Sequence, residues 1–171
     1  MLRVVFLLIG VLALVAGGCQ KGQGPVAVQV GQKAPDFTLK DTAGRSYTLS
    51  ALRGQVVLLE FWATWCPPCQ AAVPELNQVH QMFKDKGFTL LAISVDEGPG
   101  MPSRLKEFNR EHKVQYPVLY DSQGVDDLYG VMSIPMYFLI DRQGVVASRH
   151  LGYVPGMAQS IAQEIEALLK R

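Results

Sequence analysis

The sequence predicts an α/β fold, a central mixed β-sheet flanked by helices, with a β-hairpin added at its N-terminal end. Three observations lead there. Residues 56–63 and 88–95 are almost continuously apolar, as strands covered on both faces of a parallel sheet are. Between them, residues 66–86 carry Val73, Leu76, Val79 and Phe83 at helical spacing, which makes a βαβ unit. Further on, residues 136–141 and 145–151 flank Arg142-Gln143-Gly144, a turn that adds an antiparallel pair.

Taken in order, the chain opens on a leader. Arg3 is a short basic region, and residues 4–18 run apolar or small without a charge. That is shorter than the roughly 20 residues a membrane-spanning helix needs, so 1–18 reads as a signal peptide. The run ends Leu14-Val15-Ala16-Gly17-Gly18-Cys19, which resembles a bacterial lipobox, with Cys19 as the lipidated mature N-terminus. The alternative is ordinary cleavage after Gly18, leaving a free thiol. Residues 19–33, with Gly22, Gly24 and Pro25, read as a tether, and 34–171 as one folded domain.

Within the domain, residues 36–41 and 46–49 alternate around a turn at 42–45, the N-terminal hairpin. Gly87 is placed to close the 66–86 helix as a C-cap. Residues 104–112 are helical, 118–120 short and extended, and 125–129 a helical turn or two. Met157, Ile161, Ile165, Leu168 and Leu169 mark an amphipathic C-terminal helix.

Composition narrows the function. With 49% hydrophobic and 18% charged residues the chain can build a core, which excludes disorder as its main state. A net charge of +1 without a basic cluster makes a poor nucleic-acid binder, because neutralising phosphates needs concentrated positive charge. Three cysteines are too few for a disulfide scaffold and odd for a secreted protein, which is resolved if Cys19 has a separate task.

The chemistry gathers at Trp65-Cys66-Pro67-Pro68-Cys69, between a buried strand and a helix. Two intervening residues put both thiols on the first helical turn. Cys66 falls at the N-cap, and Pro67 suits N1, whose N–H would go unpaired anyway. The N–H of Cys69 can then point back at the Cys66 sulfur, with a thiolate as capping acceptor. A helix N-terminus favours an anion by about 0.3–1 kcal/mol, up to ~2 when partly buried. At about 1.4 kcal/mol per pKa unit, the dipole alone lowers a thiol from ~8.5 by roughly one unit. Cys66 is therefore the nucleophile and Cys69 the resolving thiol. A zinc site would need further ligands, and His80, His112 and His150 are scattered, so no metal is expected. A structural disulfide gains little from so short a loop.

Phe61-Trp62-Ala63-Thr64-Trp65-Cys66-Pro67-Pro68-Cys69 resembles the active-site segment of thioredoxin-fold proteins, specifically the extracytoplasmic thiol–disulfide oxidoreductases related to TlpA and ResA. Residues 31–37 and 138–144 support the resemblance, and Pro74 matches the helix-kinking proline of that fold. Ile134-Pro135 matches the family's cis-proline. The resemblance implies that the Ile134 backbone pairs with the substrate chain beside Pro135, with Trp65 covering the dithiol. Met136 departs from the Thr or Glu frequent in relatives. Glu97 falls near an acid that tunes thiol acidity in ResA-like proteins.

Glu60 interrupts the first apolar strand six residues before Cys66, where thioredoxin holds a buried Asp and many TlpA-like relatives an Asn. Burial raises a carboxyl's pKa, so Glu60 is a candidate proton acceptor for Cys69; the alternative is that it turns to solvent or pairs with a base. Together these readings describe a membrane-tethered, extracytoplasmic protein disulfide reductase without a cofactor. Its implied partners are protein thiols and disulfides, apocytochrome c among them, and a membrane electron donor of the DsbD/CcdA type. Two alternatives stand beside it. A peroxiredoxin needs Pro-x-x-x-Thr-x-x-Cys, whereas Ala63 stands three before Cys66. A non-catalytic binding module would not need both Cys66 and Cys69.

Overall fold

The computed structural model describes residues 27–171; the leader and Cys19 lie outside the described residues. In chain order the elements are β1 (Thr38–Asp41), β2 (Ser46–Thr48), β3 (Val56–Trp62), α1 (Pro67–Phe83), β4 (Phe88–Ser94), α2 (Met101–Glu111), β5 (Val118–Tyr120), α3 (Val125–Tyr129), β6 (Met136–Ile140), β7 (Val146–Leu151) and α4 (Met157–Leu169). A 3-10 turn, Leu49–Leu52, leads from the hairpin towards β3.

The strands form one seven-stranded sheet in the order β2-β1-β5-β4-β3-β6-β7. β3, β4 and β5 are parallel, while β1 and β6 join them antiparallel, so the sheet is mixed as expected. The added hairpin extends this same sheet through β1 rather than standing apart. β3 lies between β4 and β6, and all seven of its residues are buried. Apolar side chains of α1, α2 and α4 cover one face of the sheet. The other is covered by α3 and by the N-terminal segment, through Val28, Ala34, Phe37 and Leu49.

Three boundaries differ from the sequence reading. α1 ends at Phe83, not near residue 86. Its last turn closes with the Lys84 N–H on the His80 carbonyl, and Gly87, at φ +78°, serves the following turn into β4. α2 starts at Met101 rather than Arg104, because Pro102 is tolerated in a first turn whose N–H groups have no helical partner. The stretch read as tether is docked by its end. The Val28 N–H donates to the Tyr129 carbonyl and the Gly31 N–H to that of Val146, so the packed domain reaches back to Val28 rather than beginning at Ala34. No helix among the described residues is long and apolar enough to cross a membrane.

Candidate active site

β3 and β4 are neighbouring parallel strands, so the loops at their C-terminal ends emerge side by side, where open α/β sheets place their sites. The β3 loop carries the cysteines. Cys66 is the N-cap of α1 in extended conformation, with the two prolines at N1 and N2, and its Sγ accepts the Cys69 N–H at 3.3 Å. This is the arrangement the spacing predicts. Cys66 and Cys69 form a disulfide of 2.04 Å with Cα atoms 5.3 Å apart. Both are buried, Cys66 at 4% exposure and Cys69 at 1%. Both belong to the core cluster that holds Ala72, Val73 and Leu76, with Cys66 the slightly more exposed of the two.

Pro135 is buried and follows Ile134 through a cis peptide bond, as the resemblance implies. Ile134 shares a surface depression with Trp65, Val95, Asp126, Val131 and Met132. Within it Trp65 is 67% exposed and Met132 81%, so Trp65 borders the dithiol as an open flank and is not packed down. Trp62 is buried in the core against Phe108, with ring centroids 4.7 Å apart.

Glu60 faces inward. It shares a face of β3 with Leu58 and Trp62, whose side chains pack in the same core cluster as Cys69. Opposite it on β6 is Tyr137, whose hydroxyl donates to Glu60 Oε1 at a long 3.4 Å. Burial pushes the Glu60 carboxyl up to about 8, and the Tyr137 hydrogen bond offsets this in part. Solvent exposure and pairing with a base are thereby set aside for Glu60. The same burial, with Glu60 near, raises Tyr116 and Tyr137 above the ordinary phenol range.

Sequence reasoning passed over Asp96. This residue follows β4 and is buried, whereas its neighbour Glu97 is exposed and touches Arg104 through its carbonyl. The Asp96 carboxylate accepts the Thr64 N–H at 2.8 Å, the Thr64 hydroxyl at 2.6 Å and the Ser94 hydroxyl at 2.8 Å. The Gln70 side chain donates to the Thr64 carbonyl at 2.6 Å. An acid directly after a buried strand was the available signal, but which loop it meets depends on strand order. Glu75, in α1, was also missed. It accepts the Tyr153 hydroxyl at 2.9 Å and the N–H groups of Gly156 and Ala158 at 2.8 Å each, capping α4. Gly152, beside it, donates to the Pro135 carbonyl at 2.8 Å.

A cysteine pair joined as a disulfide at a helix N-cap, in a chain that also holds a cis-proline before β6, can take up two electrons from a dithiol or, once reduced, pass them to a disulfide. The fold and site define a thiol–disulfide oxidoreductase of the thioredoxin fold. The chain belongs to the AhpC/TSA family, whose model matches residues 30–149. It is 36% identical over 143 residues to the thiol-disulfide oxidoreductase ResA of Geobacillus thermodenitrificans, covering 83% of this chain and 79% of that one. A Chlorobium tepidum structure assigned as thiol:disulfide interchange protein DsbE superposes with TM-score 0.76 at 38% identity, over 84% of this chain and 99% of the other. The exposed lipoprotein thioredoxin Etrx1 of Streptococcus pneumoniae gives TM-score 0.65 at 30% identity, over 78% and 100%.

Proposed function

We propose that the protein reduces protein disulfides outside the cytoplasm while held to a membrane by lipid on Cys19. The carrying observation is the Cys66 N-cap, where a thiolate would receive the Cys69 N–H. In the reduced protein the Cys66 thiolate attacks a substrate disulfide. A Cys66–substrate bond forms, and the other substrate sulfur leaves as a thiolate that takes up a proton. Cys69 then gives its proton to the ionised form of Glu60, which becomes available as pH approaches about 8, and attacks the Cys66 sulfur, closing Cys66–Cys69 and releasing the second substrate thiolate. The substrate gains two electrons and the protein loses them. A membrane donor of the DsbD/CcdA type would restore the dithiol. Trp65, Ile134 and Pro135 border the approach to Cys66 and are assigned to substrate binding.

The likeness to ResA and DsbE supports thiol–disulfide exchange, and the likeness to an exposed lipoprotein thioredoxin supports the anchor; the reductive direction and apocytochrome c as a substrate are part of the proposal. A peroxidase reading has less support, because Ala63 occupies the position where peroxiredoxins need Thr or Ser. The test is a trapping experiment. Cys69→Ser should accumulate mixed disulfides with substrate proteins, and Cys66→Ser should not; the opposite pattern overturns the assignment. A Cys66–Cys69 potential near about −270 mV supports a reductase, and one near about −120 mV an oxidase.

A further inference from the structure

We infer that Asp96 is a positioning residue for Cys66, acting through Thr64 to hold the attacking sulfur at the helix N-cap when no disulfide holds it. The inference rests on the thiol–disulfide reading of Cys66.

Thr64 stands two residues before Cys66 and has every polar group engaged. Its N–H and hydroxyl go to the two oxygens of Asp96, and its carbonyl accepts from Gln70. Asp96 is fixed in turn by the Ser94 hydroxyl, which donates to Oδ2, and by its own N–H on the Ser94 oxygen at 3.1 Å. Ser94 is fully buried at the end of β4, and the Val95 N–H donates to the Trp62 carbonyl at 2.9 Å. The turn carrying Cys66 is thus tied to the neighbouring strand, not merely to its own helix. Within the turn, the Cys66 N–H donates to the Ala63 carbonyl at 3.2 Å.

All partners of the Asp96 carboxylate are uncharged donors, and among the described residues it has no salt bridge. A buried carboxylate without a counter-charge is costly unless its hydrogen bonds are kept, so the arrangement resists loosening. The redox state decides when this matters. In the oxidised protein the Cys66–Cys69 bond holds Cys66 to α1 on its own. In the reduced protein that bond is gone, and the Asp96–Thr64 pair remains to keep the sulfur within reach of the Cys69 N–H. These bonds are present with the disulfide closed, so Asp96 shifts the equilibrium towards the dithiol only by holding the Cys66 thiolate at the N-cap once the disulfide is open. Glu97 is exposed, its backbone carbonyl accepts from Arg104, and it has no part in this.

The experiment uses Asp96→Ala, Thr64→Val and Thr64→Ser in the full chain. It measures iodoacetamide alkylation of Cys66 in the reduced protein at pH 6, the dithiol–disulfide equilibrium against glutathione, and Tm of both redox forms. Losing one such hydrogen bond corresponds to about 3- to 10-fold. Thr64→Val should slow alkylation by that factor and shift the equilibrium towards the disulfide by a similar one; Asp96→Ala should do at least as much. Thr64→Ser, which keeps both donors, should match the wild type. If Asp96→Ala does not fold, Thr64→Val decides, since it keeps the buried charge and nearly the same shape. A lowered Tm with unchanged alkylation and equilibrium makes the pair merely structural and overturns the inference. Faster alkylation in Asp96→Ala overturns it too, by making Asp96 a charge that opposes the thiolate. Loss of all dithiol exchange in the wild type would instead sink the reading on which the inference rests.

Discussion

Glu60 and Glu75 carry the same carboxyl group and are driven in opposite directions. Glu60 lies in the middle of the sheet, where burial dominates and the long Tyr137 hydrogen bond restores little, so its pKa rises to about 8. At Glu75 burial also pushes upward. There the N–H groups of Ala158 and Gly156 and the Tyr153 hydroxyl more than offset it, and the carboxyl is held below its usual range. The number and quality of donors, not burial alone, decide whether an acid inside a fold becomes a proton carrier or a fixed anion. The region around Glu60 is the one proposed for proton transfer; the other joins two helices.

The largest effect should come from removing the proton carrier. Glu60→Gln keeps the shape and, above about pH 8 where Glu60 is ionised, should slow resolution of the mixed disulfide by about 10²-fold, the low end for general base catalysis. The first attack by Cys66 should stay close to wild type, as rapid-quench measurement with a peptide disulfide would show. The difference should open as pH rises through about 8, where Glu60 ionises, and equal resolution rates at pH 8 and above would make Glu60 structural and erase the contrast.

Removing the fixed anion should act on stability instead. Glu75→Ala leaves the first turn of α4 uncapped and should cost about 1–2 kcal/mol, read as a lower urea midpoint with little change in slope. Hydrogen exchange should quicken first in α4.

The two acids also predict opposite pH slopes. Glu60 is protonated in the folded protein up to about 8 but ionises near its ordinary 4.5 when unfolded. The folded state then binds more protons, so this residue makes stability fall as pH rises from about 4.5 to about 8, by up to about 1.4 kcal/mol per pH unit. Glu60→Gln should flatten that slope. Glu75 is depressed, so its contribution is complete above the ordinary glutamate pKa and fades as pH drops through its folded value. Urea titrations of wild type and both variants separate the two.

The smallest effect on stability belongs to Trp65, which is largely exposed. Trp65→Ala should change stability by less than about 0.5 kcal/mol while raising KM for a protein disulfide a few-fold. A large loss of stability would mean that the indole packs on the dithiol after all.

Much of the site was written in the chain. The apolar runs of β3 and β4 have one fate, burial between layers, and the helical spacing after Cys66 has another, so the βαβ unit follows from pattern. Cys66, Pro67, Pro68 and Cys69 occupy the N-cap and first turn because cap chemistry is local and needs no knowledge of distant residues. Glu60 was legible for the same reason, as a lone acid in an apolar strand. Strand order and loop neighbours were not. Asp96 and Glu97 are adjacent acids, and the chain does not say which one turns inward; it took the parallel pairing of β3 with β4 to set Asp96 against Thr64. Glu75 carries no sign of its role in the chain until α4 lies across α1, bringing Ala158 to it from 83 positions away. Periodicity and capping act over a few residues and are carried by the sequence itself. Pairing between distant segments depends on which faces the whole core brings together, and that was decided by the tertiary structure.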